Sequence, residues 1–339
     1  MNIPSSFSFF LFWSLLFISF LPLKKQQDNI TSNMEFTNTI KGFAMFMILY
    51  HHSRIYHSKE FWYLFLGGEL YSGVSLFFFI SGIGLSKSYK LKKYSFFAFF
   101  KRRFLTITIG SAVCIYMRNI VSPLWGGQFS LDISPLVLMG FHEWYIVAIL
   151  TWYSIFIIIM KAQHSYFDTL FYTLIATVSV WAILSGLADQ YNMTKLWARF
   201  PFSFAIGIIL GDYIEDILLY CQKRTLHILI LCSIPFLILL KNGTGNYPYT
   251  IAMDILSIPI SLAICSLFYT FHLNRRLLIL MGQYSLPMYL LQVVFIKNSI
   301  LYSFLGYNVI SLILTWLVIF ILSIITGKTH KTILNAIKI

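Results

Sequence analysis

The chain has 339 residues, 58% of them hydrophobic and only 11% charged, with a mean hydropathy of +0.76. A soluble domain carries about 25% charged residues, so the polar surface that a water-soluble particle needs is missing. The net charge of +13 does not point to nucleic acid, because the basic residues sit between apolar segments, where they face anionic membrane lipids.

A membrane helix needs about 20 apolar residues. On that measure, spans fall near 38–57, 69–88, 104–122, 142–160, 166–187, 199–219, 226–241, 249–271, 278–298 and 306–327. The expected fold is all-α: a polytopic integral membrane helical bundle of about ten transmembrane helices. It forms one domain over 34–327, followed by a basic cytoplasmic tail at 328–339. Span 226–241 is short, and Pro287 is expected to kink the ninth span. Residues 3–23 are equally apolar but lack the charged start and small-residue cleavage site of a signal peptide. Residues 1–33 therefore read either as an extra N-terminal transmembrane helix or as a mis-assigned start, with translation beginning at Met34. Most of the 25 Lys and Arg, including the whole 87–103 loop, fall on one side when the ten spans begin in the cytoplasm. Both ends are then inside. Cys114, Cys221, Cys232 and Cys265 have no metal-type spacing and read as packing residues, so no metal is expected.

In so apolar a chain the polar positions within spans carry the information, since a charge at a bilayer centre costs roughly 2.5–3.5 kcal/mol on insertion scales. The first span reads TIKGFAMFMILYHHSRIYH. Lys41 and His52 lie eleven residues apart, about 20° beyond three full turns, so both face one way with an axial separation of roughly 16 Å. One face thus presents a cation near the cytoplasmic entrance and an imidazole beyond mid-membrane, and an imidazole suits a general base. His51 points about 100° away. The bland alternative is that both histidines merely approach the outer interface.

The second span, GVSLFFFISGIGLSKSY, offers Ser81, Gly82 and Gly84 for close helix approach. Lys87 to Lys93 read as an anchor on anionic lipid. Arg102 and Arg103 open the third span and can reach inward, where arginine forks suit the phosphates of a nucleotide-bearing acyl donor. The fourth span opens FHEWYIVAILTWY, with His142, Glu143, Trp144 and Tyr145 at the outer interface. Aromatic residues there are commonplace. Glu143 beside an imidazole is less easily dismissed in a chain with 12 acids; it can orient a catalytic histidine or bind a sugar hydroxyl. Asp212, Glu215 and Asp216 read as headgroup contacts balanced by Lys223 and Arg224, and Asp254 as a lesser functional candidate.

Taken in order, IKGFAMFMILYHH, LFFFISGIGLSKSY, FFKRRFLTI, HEWYIVAILTWY and MGQYSLPMYLLQ resemble the acyltransferase 3 family of membrane proteins, which O-acylate glycans and other cell-surface molecules. The likeness covers roughly 34–327. It implies Lys41 and His52 as the essential basic–histidine pair, and Arg102 or Arg103 at the conserved arginine site. Three departures stand out: lysine in place of arginine at 41, Thr106 where a second arginine often sits, and Gln292 where the late helix often has histidine.

The resemblance implies an O-acyltransferase, most simply an acetyltransferase. It would take acetyl-CoA from the cytoplasm to a hydroxyl of a surface polysaccharide or its precursor at a bacterial inner membrane. His52, Lys41 and Glu143 are the expected catalytic residues, Arg102 and Arg103 the expected donor contacts, and His51, His142, Trp144 and Tyr145 the expected substrate contacts. A glycan or lipid transporter without acyl-transfer chemistry is the rival reading, though no inverted repeat is visible; a structural scaffold is a third.

Overall fold

Backbone amides and carbonyls inside hydrocarbon find no water, so an apolar chain must close its hydrogen bonds within helices. The computed structural model shows that outcome. It describes residues 34–53, 72–92, 95–121, 123, 143–162, 166–190, 201–222, 224, 227, 247–270, 276–297 and 309–337. Among them are eleven helices and no strand: α1 (Met34–His52), α2 (Ser72–Lys92), α3 (Phe96–Val121), α4 (Trp144–Ala162), α5 (Tyr166–Gln190), α6 (Pro201–Leu210), α7 (Ile214–Gln222), α8 (Tyr247–Thr270), α9 (Arg276–Gln283), α10 (Ser285–Lys297) and α11 (Val309–Ala336). Within the described residues, five stretches are long and apolar enough to cross a membrane: Phe97–Val121, Trp144–Lys161, Asp168–Gly186, Ile251–Thr270 and Ile310–Ala336. The chain is a helical bundle of an integral membrane protein. The N-terminal apolar stretch before residue 34, Cys232, His142 and nearly all of the span expected at 226–241 lie outside the described residues.

Two expected spans are broken. The sixth divides at residues 211–213 into α6 and α7. The ninth divides at Tyr284, three residues before Pro287. Tyr284 N–H closes α9 on the Leu280 carbonyl at 3.1 Å, and its own carbonyl accepts from Met288 N–H at 3.0 Å to open α10. Pro287 has no N–H to give the carbonyl of Gln283, four residues earlier and the last residue of α9, so the break falls where its kink is expected. α9 lies antiparallel to α1 and close against it. A Cβ on Gly42 would collide with the Leu278 carbonyl, and one on Gly282 with the Asn38 carbonyl. Gly82 of α2 and Gly207 of α6 permit the same intimacy, each backing onto the other helix's backbone.

Inside the bundle a polar knot ties three helices. Pro201 opens α6, whose first amides need acceptors. Asp254 of α8 supplies them from outside the helix. Phe202 N–H donates to its Oδ2 at 2.7 Å, and the Ser203 hydroxyl donates to Oδ1. Ser203 and Ser75 of α2 share a hydrogen bond of 2.6 Å, and Ser257 reaches both Ser75 (2.6 Å) and the Asp254 carbonyl (2.7 Å). Asp254 is wholly buried and engaged in joining helices. At the edge, Lys87 and Glu215 pair at 2.9 Å, linking α2 to α7.

The outer faces are greasy. Phe171, Leu174, Ile175, Val178 and Ile183 of α5 are exposed, as are Ile310, Ile313, Leu317, Ile321 and Ile325 of α11. Hydroxyls along the spans bond back to carbonyls four residues earlier, as Thr151, Thr177, Thr315 and Ser323 do. These are the habits of helices in lipid.

Candidate active site

α1 holds its helix from Met34 to His52, so the shared face that spacing gives Lys41 and His52 is kept. The residue after Lys41 begins a buried run, Gly42 to Met45, that packs α1 against the bundle; Phe43 meets Phe268 of α8 at 5.2 Å. α2 returns antiparallel, since Gly73 at its start meets Ala44, Met47 and Ile48 in the later half of α1. α3 and α4 are antiparallel too: Phe99 meets Tyr153 and Phe156, while Arg118 meets Glu143. The start of α1, the end of α2 and the start of α3 therefore share one end of the bundle, where Lys87, Lys101, Arg102 and Arg103 also collect.

At that end the structure separates the two arginines. Arg102 is exposed. Arg103 is half-buried, with its guanidinium 5.8 Å from the Phe99 ring centroid and 5.9 Å from that of Tyr153, distances at which a cation is drawn to an aromatic face. It also lies near enough to Lys41 for the two charges to repel. Among the described residues neither Lys41 nor Arg103 meets a carboxylate. Two half-buried cations held together without a counter-charge make a place for an anion. Thr106, where the resemblance implies a second arginine, turns its hydroxyl back to the Arg102 carbonyl at 2.6 Å.

From this pair a line of phenols leads inward. Tyr153 lies under Arg103 and electrostatically close to Tyr145. Tyr145 packs on Phe78 at 5.2 Å and on Tyr289 of α10 at 4.9 Å. Trp144 meets Phe78 at 6.5 Å and Tyr145 at 6.2 Å. The two interface aromatics expected to touch substrate are thus half-buried members of an aromatic cluster between α2, α4 and α10.

At the opposite end His51 and His52 are both half-buried, their rings 5.7 Å apart. The next residue, Ser53, donates to the Leu49 carbonyl at 2.8 Å and accepts from Trp316 Nε1–H at 3.1 Å. Trp316 also packs on Phe46 at 5.5 Å and Tyr50 at 6.4 Å, which fastens the histidine end of α1 to α11. Glu143 precedes α4, and its carbonyl accepts from Ile146 N–H at 2.9 Å. Its carboxylate faces Arg118 at 3.6 Å, with side-chain exposures of 16% and 21%.

Sequence reasoning named Lys41, Arg103, Tyr145 and Trp144, which the structure places along one interior path. It did not name Arg118, Tyr153 or Tyr289 for the site, and it met Gln292 only as a departure from the late helix's usual histidine. Tyr153 had a signal: it follows Tyr145 by eight residues, the period that keeps a helical stripe on one side.

A family model described as an acyltransferase domain matches residues 34–327. No curated protein and no solved structure matches the chain.

Proposed function

The chain belongs to the acyltransferase-domain family and is a membrane acyltransferase, and on that premise we propose that it moves an acetyl group from cytoplasmic acetyl-CoA to a hydroxyl of a surface polysaccharide or its precursor. The observation that carries the donor half is the Lys41–Arg103 pair, two neighbouring half-buried cations with no carboxylate among the described residues. Phosphates of the donor neutralise them, and the arginine fork adds directed hydrogen bonds. The basic end is then the cytoplasmic end, of a bacterial inner membrane, with the C-terminus on the same side.

With its phosphates at Lys41 and Arg103, the donor's arm runs along α1 past Tyr153 and Tyr145 toward His52. The distance is about 16 Å by helical rise. His52 accepts the proton of the acceptor hydroxyl as that oxygen attacks the thioester carbonyl. The carbon–sulfur bond breaks, the departing thiolate takes the proton from His52, and the acetyl ester remains on the acceptor. His51, Trp144 and Tyr145 serve the acceptor in this reading, with His142, outside the described residues, as the fourth expected contact. Glu143 helps set the acceptor end through Arg118.

Mass spectrometry of surface polysaccharide from cells with and without the gene tests the reading directly. An acetyl increment that disappears on deletion and is not restored by His52→Ala supports it. Polymer that keeps full acetylation with His52→Ala rules out the mechanism.

A further inference from the structure

Gln292 lies three residues beyond Tyr289 on α10, so the two share a face. It is wholly buried, at 0% exposure, and neither Oε1 nor Nε2 has a hydrogen-bond partner among the described residues. Buried hydroxyls elsewhere in the bundle answer this problem by bonding their own helix, as Thr177 and Ser323 do. A buried carboxamide with donors and acceptor both unmet is destabilising, and a leucine would fill similar space without that cost. A side chain of this kind belongs where a polar group arrives with a ligand.

Its position says which ligand. Tyr289 packs on Tyr145, Tyr145 neighbours Tyr153, and Tyr153 lies under Arg103 beside Lys41. Gln292 therefore stands on the path that leads from the cation pair toward the histidine end. A carboxamide offers one acceptor and two donors without charge. It suits a neutral ligand bearing amides and hydroxyls, and does nothing for a hydrocarbon chain. We propose that Gln292 hydrogen-bonds the pantetheine arm of the acyl-CoA donor, whose amides and hydroxyl are the polar groups between its phosphates and its thioester. This rests on the acyl-CoA reading above and adds a specificity residue to it.

The test uses the purified full chain and two probes, CoA and its nucleotide half, adenosine bisphosphate. Gln292→Leu is expected to bind CoA roughly tenfold more weakly, the scale of one unmade buried hydrogen bond. Its affinity for adenosine bisphosphate is expected to stay unchanged, and its thermal unfolding to be unchanged or later. Gln292→Met, a flexible replacement, is expected to do the same if leucine packs poorly. Equal CoA affinity in wild type and in a folded variant overturns the proposal and leaves the donor reading standing. Equal loss of both probes overturns it as well, since that marks a general distortion. A wild-type chain that binds neither probe overturns the donor reading and this proposal together.

Discussion

Arg102 and Arg103 are chain neighbours in opposite circumstances: Arg102 is exposed, whereas Arg103 is half-buried over the rings of Phe99 and Tyr153, close to Lys41. One residue along a helix is about 100° of rotation, and α3 uses it to give one guanidinium to the periphery and the other to the interior. The two arginines therefore differ in what they can do for an anionic donor.

With acetyl-CoA as the proposed donor, Arg103→Ala is expected to raise its KM by about tenfold to a hundredfold, the scale of a charged hydrogen bond worth about 1.5–3 kcal/mol. Arg102→Ala is expected to change it less than threefold, in keeping with the small worth of exposed charges, about 0–1 kcal/mol. Steady-state kinetics in lipid nanodiscs reads both. Equal effects from the two variants would remove the distinction between them.

Lys41→Gln isolates the second cation. It is expected to weaken CoA binding while leaving the fold intact, because it relieves the repulsion with Arg103. His52→Ala is expected to leave CoA binding within about twofold and to lower turnover by about a hundredfold or more, the range of general-base catalysis. Binding and single-turnover measurements on the same samples separate the two roles.

The pairing of Glu143 with Arg118 predicts non-additivity. Glu143→Gln and Arg118→Met each break the same partly buried contact at 3.6 Å. The double variant is expected to be about 0.5–1.5 kcal/mol more stable than the sum of the single changes implies. Thermal unfolding in detergent completes the cycle. Additive losses would mean that Glu143 acts through some other partner.

The helical membrane fold was legible because hydrocarbon allows few alternatives: long apolar runs with charges between them leave only helices or closed barrels, and α3, α4, α5, α8 and α11 follow from composition. The Lys41–His52 face was legible too, since it needs only helical period. The inward turn of Arg103 was not, because neighbouring arginines look alike until a second helix supplies Tyr153. The break in the ninth span was legible as well. Pro287 cannot donate to the Gln283 carbonyl, so α9 ends there and α10 begins two residues on. Gln292 looked like a lost histidine until its burial and its unmet amide were seen.

The antiparallel contact of α1 with α9 sets the position of Lys41, which is next to Gly42. A methyl group at Gly42 meets the Leu278 carbonyl and its carbon, both backbone atoms that cannot rotate away. Gly42→Ala must therefore push α9 off α1, with a cost of about 1–3 kcal/mol, typical of overpacking. Gly84, whose added Cβ meets nothing within 4 Å, is the control. Gly84→Ala is expected to be neutral or slightly stabilising, because alanine suits a helix better than glycine by about 0.8–1.0 kcal/mol. Thermal unfolding of the two variants in one detergent compares them directly. The Gly42 variant is also expected to lose CoA affinity, since displacing α9 disturbs the turn of α1 that carries Lys41. If Gly42→Ala unfolds no earlier than Gly84→Ala, the close α1–α9 contact does not hold the cation in place.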